Sequence, residues 1–347
     1  MPKSELTGRI QTVLGTIDPS ELGITHTHEH LLIDMMCYFE MPEEASKREW
    51  IDAKVTMDRL GGAMSNFSHF PHAMQLFDTD EAIREVLKYK HVGGNSLMDT
   101  TNVGLARDPL ALARISRATG LNVIMGSSYY VPVSYPEDMD TKSEQSITDE
   151  IIRDITVGVG DTGVRSGFIG EIGNFWPTNP NTIKVLQASA HAALETGAVV
   201  LIHPGFDPDS PPAIIETLTG AGLDPSRIIM GHLDLVPHDF AWLKDLAQSG
   251  CYMEWDIFGW EDTMAPMPLS SDVESMGNIE YAISEGFGDK ILVAHDVCTK
   301  MQYTKYGGKG YAHILENIVP RMRKRGFTEE SIQSILVGNP KNAVTFV

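Results

Sequence analysis

Gly23-Ile24-Thr25-His26-Thr27-His28-Glu29-His30 is the stretch from which the fold is read. A short run ends on two imidazoles separated by one residue. Residues two apart on an extended strand project to the same side, so His28 and His30 can serve one site. Four further runs end in the same manner. Gly167-Phe168-Ile169-Gly170 precedes Glu171, and Val199-Val200-Leu201-Ile202 precedes His203. Ile228-Ile229-Met230-Gly231 precedes His232, and Ile291-Leu292-Val293-Ala294-His295 precedes Asp296. A polar group able to hold a metal, placed at the end of each of several buried strands, is the layout of a metal site at the mouth of a barrel.

Working outward, the chain repeats a cycle of apolar run, polar loop and helical stretch. The spacing predicts strands over 23–27, 96–100, 122–126, 167–172, 198–203, 227–232, 251–256 and 290–296. They are short, rich in Val, Ile, Leu and Met, and bounded by Gly or Pro, as buried parallel strands are. Helical patterns cover 108–118, 147–157, 182–196, 212–221, 237–248 and 275–285. Eight strands alternating with helices predict a (β/α)8 TIM barrel spanning residues 1–347 as one domain. An open doubly wound sheet would want a Gly-rich phosphate loop after its first strand, and the sequence has none. Two features sit outside the cycle. Residues 8–19 read as an N-terminal hairpin. Residues 31–94 form a long insertion after strand one, rich in Met and aromatics, with a helix predicted near 78–91 and Asp78 as its N-cap.

Composition narrows the function classes. The chain has 347 residues, 42% hydrophobic, with a formal net charge of −20. A chain this acidic lacks the basic face that nucleic acid requires. Its longest Lys/Arg run, Arg321-Met322-Arg323-Lys324-Arg325, reads as a solvated helix end. Three cysteines, Cys37, Cys251 and Cys298, form neither a disulfide framework nor a CxxC zinc motif. The expectation is a cytoplasmic protein without a signal peptide or membrane span, acting on a small molecule and assembled as a homodimer.

His28, His30, Glu171, His203, His232 and Asp296 exceed what one tetrahedral zinc needs. They suit two divalent ions sharing a bridging carboxylate, with positions left for water. Imidazole and carboxylate ligands accept zinc, with manganese, cobalt or iron as alternatives. Other readings fail on spacing. Leu32 stands where an HExxH motif would carry its second histidine, and no GxSxG elbow occurs. His26 shares the predicted face of His28 but should lie roughly 6–7 Å deeper, as an interior barrel residue. His295 should point away from the barrel if Asp296 points into it.

These residues resemble the phosphotriesterase-like family of the amidohydrolase superfamily. The likeness runs through Gly23–His30, Asp99-Thr100-Thr101-Asn102-Val103-Gly104, Gly170-Glu171-Ile172-Gly173, Ile202-His203-Pro204-Gly205, Gly231-His232-Leu233-Asp234, His295-Asp296-Val297-Cys298 and Gly338-Asn339-Pro340. The resemblance implies a distorted barrel with a binuclear site. His28, His30 and Asp296 would hold the buried ion, and His203 and His232 the exposed one. Glu171 stands where phosphotriesterases carry a bridging carboxylated lysine, as in the phosphotriesterase-related branch. A glutamate offers the same two-oxygen bridge, and its presence puts phosphotriester cleavage itself in question. His26, where the family more often has an apolar residue, is a second departure.

The mechanism expected is attack by a bridging hydroxide, with Asp296 accepting its proton and passing it to the leaving group. Asp234 is a candidate for orienting a ligand from behind. Pocket candidates at loop tips are Tyr129, Tyr130, Trp176, Trp255, Phe258 and Lys300, with part of the 31–94 insertion. The family's range favours a lactone or carboxylic ester, with an N-acyl amide as the alternative and phosphotriesters as a main or side activity. A binding protein that kept the barrel and lost catalysis is the non-enzyme alternative, which the intact ligand set opposes. A mononuclear deaminase of the same superfamily would not need Glu171.

Overall fold

The hairpin that opens the chain caps one end of a barrel. In the computed structural model, which describes residues 3–261 and 269–347, β1 (Ile10–Thr12) pairs antiparallel with β2 (Gly15–Ile17). Ile10 and Leu22 are fully buried and belong to one apolar cluster with Ile124, Phe168, Leu201 and Leu292. These alternate residues of successive strands fill the barrel interior.

β3 (Thr25–Glu29) leads into the insertion, where β4 (Ile33–Asp34) pairs antiparallel with β5 (Gln75–Leu76). Then come β6 (Ser96–Asp99), β7 (Asn122–Met125), β8 (Ile169–Gly173), β9 (Val200–His203), β10 (Ile228–Met230), β11 (Tyr252–Trp255) and β12 (Ile291–Val293). They form two parallel sheets, ordered β3-β6-β7 and β8-β9-β10-β11-β12. The sheets meet along two seams. At one, Gly167 N donates to Met125 O at 2.8 Å and Gly170 N to Ser127 O at 2.6 Å. At the other, Asp296 N donates to His28 O at 3.0 Å. Glycine makes the first seam possible, since a Cβ on Gly126 would collide with the Gly170 carbonyl. The result is the expected (β/α)8 barrel, distorted at its seams. No helix among the described residues is long and apolar enough to cross a membrane.

The helices form where the periodicity predicts them, with caps that set their starts. Asp108 accepts from Ala111 N at the start of Pro109–Thr119, which buries Leu112, Ala113, Ile115, Ser116 and Thr119. Asp78 accepts from Asp80 N and Glu81 N and starts Thr79–His91. Such caps contribute about 1 kcal/mol each.

The strands are shorter than the apolar runs suggest, because the last residues of several runs leave the ladder. His232 and Asp296 have φ of 52° and 46°, in the left-handed region that non-glycine residues rarely occupy. The expectation for His26 requires correction. Pairing of β3 with β6 shifts between His26 and Glu29, a bulge that ends simple alternation. His26 therefore does not lie beneath His28. Its ring packs 4.3 Å from Tyr89 of helix Thr79–His91 and 4.7 Å from His295.

Candidate metal centre

At the C-terminal mouth of the barrel, side chains from β3, β8 and β9 meet those just beyond β3, β10 and β12. Glu171 is the centre. Its Oε1 lies 3.2 Å from His30 Nε2. Its Oε2 lies 3.2 Å from His203 Nδ1, 3.4 Å from His28 Nε2 and 3.6 Å from His232 Nε2. Asp296 Oδ1 stands 3.2 Å from His30 Nε2 and 3.9 Å from His28 Nε2. The structure thus gathers all six candidate ligands, with the two oxygens of one carboxylate turned toward different histidines.

Partners behind the cluster fix the tautomers. His232 Nδ1 is 2.8 Å from Asp256 Oδ1, and His28 Nδ1 is 3.1 Å from Asp256 Oδ2. Glu254 Oε2 lies 3.3 Å from His28 Nδ1. Thr101 Oγ1 donates to Leu32 O, so it accepts from His30 Nδ1 at 2.8 Å. In these three imidazoles the Nδ1 proton is committed outward and Nε2 faces Glu171, whereas His203 turns its Nδ1 toward Glu171.

This donor set fits divalent cations. His28 Nε2, Glu171 Oε2 and His203 Nδ1 are buried and have no hydrogen-bond partner. Orphaned polar atoms at that depth are costly unless something binds them. The charges agree. Burial opposes protonation of His30 and His232, yet Asp296 and Glu171 push His30 up to about 9, and Asp256 and Glu171 push His232 up to about 10. Against its own burial, Glu171 is held well below the usual carboxylate range by the imidazoles around it. The cluster draws positive charge inward, as a cation site does.

The sequence reading missed three supporting carboxylates. Glu254 and Asp256 alternate along β11 with outward-facing residues, a period-two signal available in Tyr252-Met253-Glu254-Trp255-Asp256. Glu29 was the unassigned residue between His28 and His30. Its Oε1 accepts from His295 N at 3.1 Å and faces His295 Nδ1 at 2.7 Å, and its Oε2 accepts from Val297 N at 3.1 Å. Glu29 therefore clasps the backbone on both sides of Asp296. Gln302 Nε2 adds a bond to Asp296 O at 2.8 Å. Asp234 is buried away from the donors. Its Oδ2 accepts from Asp256 N at 2.7 Å and Ile257 N at 3.2 Å, so it braces the chain that carries Asp256. Burial, with the nearby Asp256 charge, pushes Asp234 up to about 7.

A cavity of about 630 Å3 opens above the donors, with His203, His232 and Asp296 in its wall. Tyr130 and Trp176 line it, together with Met35, Tyr38 and Phe67 of the insertion. Four pocket candidates lie elsewhere. Tyr129 turns to Glu150 and Lys142, and Lys300 Nζ donates to the carbonyls of His72 and Gln75. Trp255 and Phe258 pack in the apolar layer between barrel and helices, with Ile279 and Ile314. For Trp255 the cause is alternation: once Glu254 and Asp256 face inward, it must face out.

The family model of the phosphotriesterase family matches residues 8–344. The chain belongs to the phosphotriesterase family. It is a metal-dependent hydrolase. It is 40% identical over 346 residues to a phosphotriesterase-related protein of Nematostella vectensis, covering 98% of this chain and 99% of that one. It is 40% identical over 351 residues to the human N-acetyltaurine hydrolase, covering 99% of both chains. Among solved structures, a resiniferatoxin-binding protein from Rhodobacter sphaeroides superposes with a TM-score of 0.94 at 34% identity, covering 97% of this chain and 95% of that one.

Proposed function

We propose that this phosphotriesterase-family chain hydrolyses a carboxylic amide, an N-acyl amide, at a pair of divalent cations. The amide takes precedence over the lactone or ester that the sequence alone favours. Its support is likeness over nearly full length to an N-acetyltaurine hydrolase, at 40% identity. The observation that carries the site assignment is the disposition of Glu171. One oxygen faces His30 and the other faces His203, His28 and His232. His28, His30 and Asp296 would hold one cation, His203 and His232 the other, with Glu171 shared. Imidazole and carboxylate donors of this kind suit zinc, with manganese, cobalt or iron as alternatives.

Two such cations, when bound, acidify water and polarise a carbonyl. The chain's own residues do the rest. An amide nitrogen leaves only when it receives a proton. Asp296, in the cavity wall, accepts the proton of the attacking water on its carboxylate and delivers it to that nitrogen. Tyr130 accepts a hydrogen bond from Tyr38 at 3.1 Å, which leaves its own hydroxyl hydrogen to donate toward the substrate carbonyl. Burial holds both phenols well above their ordinary range, so they act as donors rather than bases. Asp256, Glu254 and Thr101 keep the imidazole lone pairs turned inward. The test is hydrolysis of matched substrates by the metal-loaded protein: an N-acyl amide, a lactone and a phosphotriester. Amide turnover above the other two supports the proposal; lactone turnover with an inert amide overturns it.

A further inference from the structure

We infer that the substrate, on the side of the amide that points out of the barrel, carries an apolar or cationic group and no negative charge. This rests on the amide reading and narrows it. The cavity is about 630 Å3, within the range that holds drug-sized ligands. An N-acylated aminosulfonate would leave most of it empty.

The chemistry of the mouth points the same way. Phe175, Trp176 and Phe206 line the cavity, yet they remain 40%, 37% and 38% exposed. Large side chains left this open at the rim of one cavity form a ready apolar contact surface. Two carboxylates stand among them. Glu40 comes from the insertion after β3 and Asp207 from the loop after β9. The two carboxylates come from segments that follow strands separated by three others in either direction around the ring, and both line the same cavity. Neither carboxylate has an ion pair among the described residues: Asp207 accepts from Asp209 N, and Glu40 accepts weakly from Ser68 Oγ at 3.4 Å. No lysine or arginine is among the described residues lining the cavity. The stretch 262–268, outside the described residues, contains none in its sequence. A sulfonate at this rim would meet two carboxylates and no cation. An ammonium would meet two carboxylates and aromatic faces, which attract cations.

The experiment compares kcat/KM of the metal-loaded protein for three amides with one acyl group. N-acetyl-2-aminoethanesulfonate is anionic, N-acetyl-2-phenylethylamine is apolar, and N-acetyl-1,4-diaminobutane is cationic. The apolar and cationic amides should exceed the sulfonate by about tenfold or more, the scale on which surface fields alter substrate capture. The pair Glu40→Gln with Asp207→Asn should raise kcat/KM for the sulfonate by about threefold or more and lower it for the diamine. Added salt should act in the same directions. Preference for the sulfonate, or no response of the ranking to the two substitutions, overturns the inference. The corresponding acetate esters separate the two proposals. If the esters are cleaved and the amides are not, the amide reading falls, and the charge ranking among the esters still decides the inference. If neither series is cleaved, both fall.

Discussion

Asp256 shows how one side chain can govern two ligand sets. Its two oxygens reach His232 Nδ1 and His28 Nδ1, histidines assigned above to different cations. Removing its charge weakens both hydrogen bonds and loosens both tautomers. Asp256→Asn should therefore lower affinity for both cations, by about 10–100-fold. Thr101→Val, at a hydroxyl that bonds His30 and no other of the four clustered histidines among the described contacts, should weaken one. Metal titration that reads two sites resolves the difference, and equal loss from both variants would defeat the assignment. Glu29 acts differently, through backbone. It fixes the amides before and after Asp296, a residue held at a φ of 46°. Glu29→Gln keeps the shape but turns an amide donor toward amide donors. Asp296 should then wander, so kcat should fall by about 10–100-fold, and affinity should drop for the cation that Asp296 would help hold and not for the other. An unaltered kcat would make Glu29 a structural residue only. At this scale the gathering of the six candidate ligands was legible, because each ends an apolar run. Asp256, Glu254 and Glu29 were not, since a buried carboxylate behind a ligand leaves no spacing motif of its own. His26 was misplaced because a bulge has no signature in Thr25-His26-Thr27-His28-Glu29.

Among the elements, the strands and capped helices could be read from periodicity, and the interior of the insertion could not. Residues 31–94 are held by short pairings such as β4 with β5 and by contacts to distant loops. Those contacts depend on the folded ring rather than on local pattern. Lys300 is one, bound to the carbonyls of His72 and Gln75. Within the insertion itself, His72 accepts from Val55 N at 3.1 Å on Nδ1. Partial burial, then the charges of Lys300 and Lys54, push His72 down to about 4. Its value when folded lies below the ordinary 6.5, so the neutral form is the one the fold favours. The contribution is fully present above pH 6.5 and is lost as pH falls through 4. Protonation converts the acceptor into a donor facing Val55 N. The insertion should loosen over that interval, read as faster amide exchange around Val55. His72→Asn retains an acceptor that does not titrate, and its exchange should lose this acid dependence once intrinsic rates are divided out. If the wild type shows no such dependence, His72 does not fasten the insertion. The consequence reaches the pocket, because Met35, Tyr38 and Phe67 of this segment form part of its wall.

For the molecule as a whole, the decisive fact is that the candidate ligands belong to both sheets. His28 and His30 come from β3 and its end, in the three-stranded sheet, while Glu171, His203, His232 and Asp296 come from the five-stranded sheet or its ends. The closed ring was legible from eight alternating units, but its division into two sheets was not, since seams are made by single hydrogen bonds and glycine contacts rather than by strand-length patterns. Cations held as proposed, by both sheets, would act as staples across those seams. A cation that binds only the folded state, at a free concentration 100 times its Kd, contributes about 2.7 kcal/mol. Chelation should therefore lower Tm, and it should do so unevenly. Hydrogen exchange should accelerate most at the seam amides, Gly167 and Gly170 on one side and Asp296 on the other. Amides inside the five-stranded sheet, such as those of β10, should change little, because their ladders do not depend on the staple. Metal removal that lowers protection evenly through all eight strands would mean that the cations stabilise the barrel as one cooperative unit. Removal that leaves the seam amides as protected as before would mean that the two sheets close without them.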